Sequence, residues 1–243
     1  MSVRGSFRLL LLATFACGLL FGLAPGIDLW LATALYDREA QRFVGAGSSA
    51  LVLYGLVRDG FPLLPAVAAA LALAAWRWPS RFGSPRRYVF ALLALAALGP
   101  LIADALTKPV FQRPRPKEIA MFGGALAFQP AFAWQGGCQR NCGFVSSDVA
   151  AAAGLLAPAM LFRRRRGCAI AVALLLTGAV AAARLLAGAH FLSDVTMAAL
   201  FGWTAVLGLH LALFRASRAP PAPGDVPAHP LLSPPAGRGR AQR

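Results

Sequence analysis

The chain has 243 residues, of which 58% are hydrophobic and only 14% charged, with a mean hydropathy of +0.62 and a formal charge of +15. Soluble domains carry about 25% charged residues, and a chain of this size cannot hide so much apolar surface from water, so the bilayer is its expected solvent. The basic surplus does not point to nucleic acid, because it lies in short blocks between apolar runs and never interleaves with aromatic residues along a polar groove.

In chain order, the first apolar run covers residues 7–23. Arg4 and Arg8 precede it, as in a signal peptide, but no small-x-small cleavage site follows, so it is expected to remain a membrane helix. Residues 27–36 and 48–57 read as short interfacial helices. Further spans are expected at 61–78, 88–106, 149–162, 168–186 and 192–214. The span at 149–162 is short for a crossing of ~20 residues and has to borrow Ser146 to Asp148 at its start. The result is an all-α, polytopic bundle of six transmembrane helices over residues 1–215. A tail at 216–243, rich in Pro, Ala, Gly and Arg, reads as disordered.

Charge sets the expected orientation. Arg4 and Arg8, then Arg77, Arg81, Arg86 and Arg87, then Arg163 to Arg166, then Arg215, Arg218, Arg238, Arg240 and Arg243 fall on one side of a six-span layout. Of the acidic residues only Asp225 joins them. The positive-inside rule puts that side, and both termini, in the cytoplasm of a bacterial-type inner membrane. The opposite, periplasmic side then carries residues 28–59, the long loop 108–148 and the turn around His190. Trp30, Trp76, Trp78, Trp134 and Trp203 read mostly as interfacial belt residues.

Cys17 and Cys168 fall in apolar runs. Cys138 and Cys142 stand in a polar loop as C-Q-R-N-C, without the further ligands a zinc site needs, and can pair as a disulfide if that loop faces an oxidising compartment.

Three polar clusters interrupt the apolar background on the periplasmic side. The first is K-P-V-F-Q-R-P-R-P, with Lys108 and Arg115 seven apart. The second, F-V-S-S-D, puts Ser146, Ser147 and Asp148 at the head of a helix, whose free amides form an anion site. The third, R-L-L-A-G-A-H-F-L-S-D, holds Arg184, His190 and Asp194. A guanidinium at the depth of Arg184 costs at least ~2.5 kcal/mol on insertion scales and needs a partner or a function. Together with Lys108 and Arg115 it can clamp a phosphoryl group. His190 and Asp194 are four apart and share a helical face, so the carboxylate can take the Nδ1 proton and leave Nε2 free to attack phosphorus. Asp104, four before Lys108, reads as a local ion pair. Arg113, Lys117 and Arg140 read as solvated loop charges, though they could touch a polyanionic substrate. His210 reads as a hydrogen-bonded span residue.

These clusters resemble the signature of the type 2 phosphatidic acid phosphatase superfamily, Lys-x6-Arg-Pro, Pro-Ser-Gly-His and Ser-Arg-x5-His-x3-Asp. Lys108 to Arg115-Pro116 matches the first in full, and Arg184, His190 and Asp194 match the third, with Ala183 replacing the leading serine. Only Ser146 of the second survives: Val145-Ser146-Ser147-Asp148 stands where the family's general-acid histidine is usual. The resemblance implies a metal- and cofactor-free phosphatase acting on a lipid phosphate or pyrophosphate through a phosphohistidine, within a membrane-lipid environment. Its nucleophile would be His190. Asp148 would either replace the histidine as acid, favouring acidic pH or a good leaving group, or leave the enzyme impaired. The cysteine-containing loop leans toward lipid A phosphatases of the 4′ type. Undecaprenyl pyrophosphate, phosphatidate or phosphatidylglycerophosphate phosphatases stay open, as does a non-catalytic lipid phosphate binder or transporter. The sequence leaves the oligomeric state undefined.

Overall fold

The computed structural model describes residues 2–134, 136–162 and 164–215. The expected tail, 216–243, lies outside the described residues. Ser2 opens the first helix, α1 (Val3–Leu23), by accepting the Gly5 amide on its hydroxyl. Pro25 starts the short α2 (Gly26–Ala34), and an antiparallel pair of two-residue strands, β1 (Tyr36–Asp37) and β2 (Arg42–Phe43), leads to α3 (Ser49–Gly60). After Pro62 comes α4 (Leu63–Arg77), then the single turn α5 (Pro79–Phe82) and α6 (Arg86–Leu98). The last continues as a π-helix (Gly99–Thr107) into α7 (Lys108–Phe111). A long irregular segment with two 3-10 turns precedes α8 (Ser147–Ala153) and α9 (Leu156–Leu161), and α10 (Arg166–Leu186) and α11 (Leu192–Arg215) complete the bundle.

Among the described residues, five helical stretches are long and apolar enough to cross a membrane: Val3–Leu23, Arg58–Arg77, Arg86–Glu118, Arg166–Leu186 and Leu192–Phe214. Their outer faces expose Leu12, Phe15, Leu73 and Leu175, which fits a lipid-facing surface. The expected fourth span, 149–162, is instead two short helices, α8 and α9, enclosed by the others. Val149, Ala150, Ala153 and Ala157 are completely buried there. Small residues permit that burial by letting backbones approach closely. At Gly154 a Cβ would stand 2.5 Å from the Ala94 carbonyl oxygen. The two interfacial helices expected at 27–36 and 48–57 correspond to α2 and α3.

The bundle has two distinct ends. Helices α1 and α11 run antiparallel: Gly208 faces Phe7, and Gly18 faces Met197. The start of the first helix and the end of the last therefore share one end. At that end Arg87 donates to the Leu161 carbonyl at 3.3 Å. All three polar clusters meet at the other end.

Candidate active site

The π-helix widens the backbone just before Lys108 and sets Asp104 and Lys108 on one face. The Lys108 ammonium donates to Asp104 Oδ1 at 2.7 Å and to Ser147 Oγ at 2.6 Å. Ser147 Oγ in turn donates to Asp104 at 2.8 Å. The expected local ion pair is therefore one corner of a triangle that ties the first cluster to the second. Ser146 is completely buried. Its hydroxyl accepts the Val149 amide at 3.5 Å and caps α8, and it does not line the cavity described below. Of the two serines only Ser147 lines that cavity, because the Ser146 side chain points back into its own helix.

Asp148, on the first turn of α8, lies 3.2 Å from Arg184 Nε. The Tyr54 ring of α3 stands 5.7 Å from the Arg184 guanidinium. Burial, then the negative charge of Asp148, pushes the Tyr54 phenol up from its usual value, so it remains a hydroxyl donor at all ordinary pH.

His190 sits in the turn between α10 and α11 and is almost wholly buried. Gly188 makes that turn with φ +60, and a Cβ there would run into the Phe43 ring. His190 Nδ1 is 2.8 Å from the Gly143 carbonyl oxygen, whereas Asp194 Oδ2 stands farther off at 3.6 Å. The ring partner is thus a backbone carbonyl more closely than the expected carboxylate. A carbonyl only accepts, so Nδ1 carries the proton and Nε2 keeps its lone pair. Burial lowers the His190 pKa; Asp194 opposes this, and Arg184 and Arg115 add to the lowering.

Asp194 is occupied elsewhere. It accepts the Phe191 amide at 2.8 Å and an Arg113 nitrogen at 2.5 Å. Arg113 is the clearest correction to the sequence reading. It is not a solvated loop charge but is 1% exposed. Its Nη2 donates to Asp28 at 2.8 Å, its Nη1 to Ser193 at 2.7 Å, and its Nε to the Gln129 carbonyl at 2.8 Å. The guanidinium also covers the Phe191 ring at 4.4 Å. Asp28, completely buried on α2, additionally accepts the Ser193 amide and hydroxyl. The sequence reading assigns Asp28 no role and offers Arg113 only as a solvated charge or a contact to a polyanionic substrate. The available signal was an aspartate placed inside an apolar segment, I-D-L-W-L.

Arg115 donates from Nε to the Asn141 carbonyl at 2.8 Å and from Nη2 to Asn141 Oδ1 at 2.6 Å. Cys138 and Cys142 are joined as a disulfide. Arg140 is exposed on the same loop. His210 lies far from this end and packs on Phe90 and Phe214.

Arg58, Lys108, Arg115, Lys117, Ser147, Asp148, Arg184 and His190, with Asn141, Ala187 and Ala189, line one cavity of about 390 Å³. Its wall carries five fixed cations, one carboxylate and one imidazole, a composition suited to a phosphoryl dianion. A helical membrane bundle with such a pocket at one end defines a membrane phosphatase.

The comparisons specify the class. The PAP2 superfamily profile matches residues 87–218, and the chain belongs to that superfamily of membrane lipid phosphatases. It is 26% identical over 209 residues to a lipid A 4′-phosphatase of Francisella tularensis subsp. novicida, covering 84% of this chain and 94% of that protein. Against a lipid A 4′-phosphatase of Rhizobium etli it is 31% identical over 235 residues, covering 86% of each chain. Against that of Rhizobium leguminosarum it is 30% identical over 217 residues, with 78% and 86% covered. No solved structure matches the chain.

Proposed function

We propose that this enzyme removes a phosphate from a lipid-linked phosphomonoester, with lipid A bearing a 4′-phosphate as the favoured substrate, at the periplasmic face of a bacterial inner membrane. The single observation that carries the reading is the cavity where Lys108, Arg115 and Arg184 surround His190. Three relatives of the same name, each similar over most of its length, support the substrate class. The basic residues at the opposite end of the bundle support the orientation, with both termini in the cytoplasm.

In this mechanism the three cations hold the phosphoryl oxygens, with Ser147 on Lys108. His190 Nε2 attacks phosphorus in line, the bond from phosphorus to the leaving oxygen breaks, and a phosphohistidine forms. The Gly143 carbonyl keeps the Nδ1 proton in place as the ring gains positive charge. Asp148 is paired with Arg184. Incoming phosphate draws Arg184 onto its own oxygens and frees the Asp148 carboxyl to carry a proton to the leaving oxygen. Water then attacks the phosphohistidine, giving its proton to the same carboxylate. The lipid chains stay in the surrounding bilayer.

Phosphate release from a panel of purified lipid phosphates and pyrophosphates tests this. Turnover with 4′-phosphorylated lipid A, lost in His190→Ala, is the expected result. Ligand retention without turnover on any substrate would leave a phosphate binder. Asp148→Asn should lose most turnover, and Asp148→His should regain it and extend it toward higher pH. Equal rates in all three would remove Asp148 from the reaction.

A further inference from the structure

The loop C-Q-R-N-C-G lies outside the three signature clusters, yet it touches two of the groups that act on phosphate. Asn141 accepts both the Nε and Nη2 edges of Arg115. Two residues on, the Gly143 carbonyl holds His190 Nδ1. Asn141 takes up φ +54, the left-handed region that asparagine tolerates better than most residues. Between Asn141 and Gly143 stands Cys142, closed onto Cys138. The loop is also stitched to the chain that carries Arg113 and Arg115: Cys138 N donates to the Gln112 carbonyl at 3.1 Å and Gly143 N to the Arg113 carbonyl at 2.7 Å.

We propose that this disulfide-closed loop is a positioning element of the active site, with Asn141 setting the fork of Arg115 and Gly143 setting the tautomer of His190, so that phosphate binding depends on the Cys138–Cys142 bond. The inference rests on the phosphatase reading of the cavity. Its logic is geometric. Arg115 binds Asn141 through Nε and one Nη2 hydrogen, so both Nη1 hydrogens and the second Nη2 hydrogen are left for substrate. A fork fixed on one edge loses little further freedom when it binds an oxyanion. Opening the disulfide releases the turn that carries Asn141 and runs directly into Gly143. Reduction by a dithiol transfers two electrons and two protons: the S–S bond breaks, two thiols form on Cys138 and Cys142, and the reductant becomes a cyclic disulfide. The chain's other two cysteines, Cys17 and Cys168, are free.

The test uses the full chain in lipid nanodiscs. It reads the binding of orthovanadate, a phosphoryl mimic, separately from turnover. Removing a hydrogen bond to a charged group corresponds to roughly tenfold or more in affinity. Dithiothreitol treatment, the Cys138→Ser/Cys142→Ser double variant and Asn141→Ala should each weaken vanadate binding and raise KM by about that factor. The double variant should no longer respond to dithiothreitol, and Asn141→Asp, which keeps the Oδ1 acceptor but adds a negative charge to the cavity wall, should hold the wild-type thermal midpoint. A general loss of folding would lower the thermal midpoint in Asn141→Asp as much as in Asn141→Ala. Vanadate affinity and KM within twofold of wild type after reduction, with both thiols shown free by mass-labelling, would overturn the proposal. Tight vanadate binding that responds to reduction in a protein without turnover would preserve it and reject the activity instead.

Discussion

Replacing Arg113 by methionine should destabilise the bundle more than any other single charge removal at this end. The side chain is 1% exposed and bridges two completely buried carboxylates, Asp28 and Asp194. Methionine fills a similar volume but leaves two anions without their cation in a low-dielectric site. Breaking a buried pair in this way costs about 3–5 kcal/mol. For a chain of this size each kcal/mol moves the midpoint by ~2–4 °C, so the expected drop is about 6–20 °C. The assay is thermal unfolding in nanodiscs, run beside residual phosphatase activity. Adding Asp28→Asn to Arg113→Met removes one orphaned charge and should recover at least ~1 kcal/mol, a non-additivity expected of residues in one network. Arg58→Ala serves as the control. Its pair with Asp59 is more than half exposed at both partners and is worth about 0–1 kcal/mol. A midpoint shift under about 3 °C for Arg113→Met, by the same scaling, or strict additivity with Asp28→Asn, would refute the reasoning.

The remaining expectations concern the nucleophile and its turn. Because burial, Arg184 and Arg115 hold the His190 pKa below the usual 6.5, the acid limb of kcat/KM should fall below pH 6.5. In Arg184→Gln the limb of the residual activity should move up toward 6.5, read from a pH–rate profile. The same depression makes His190 contribute stability that is present above pH 6.5 and lost as pH falls through its own lower value, so thermal midpoints should decline on acidification. His190→Gln should abolish that part of the decline. Gly188→Ala should cost about 1–3 kcal/mol and reduce turnover, since a side chain at φ +60 is strained and this one meets Phe43. Midpoint and kcat measured together check it, and an unchanged kcat would separate the turn from the chemistry.

Much of the fold was legible in the chain because the bilayer imposes a simple rule: long apolar runs become helices, and charges mark their ends. The expected spans at 7–23, 168–186 and 192–214 lie within a few residues of the observed helices. The run at 149–162 reads like the others but is a broken, enclosed pair, because its alanines suit close helix contact as well as they suit lipid. Lys108, Arg115, Arg184 and His190 were legible as a group through their spacing and their shared side of the membrane. Their neighbours were not. Arg113 and Lys117 flank Arg115 in one basic stretch, yet Arg113 is buried and Lys117 lines the open cavity.

The sequence by itself determined the solvent, the helices and the cations that meet at one end, because hydropathy and charge are local properties of the chain. Tertiary structure alone decided which carboxylate meets which cation and what holds the imidazole. Asp28 reaches Arg113 across 85 positions and Gly143 reaches His190 across 47. In a dry interior a charge accepts only the partner that packing brings to it, and no spacing rule encodes that choice.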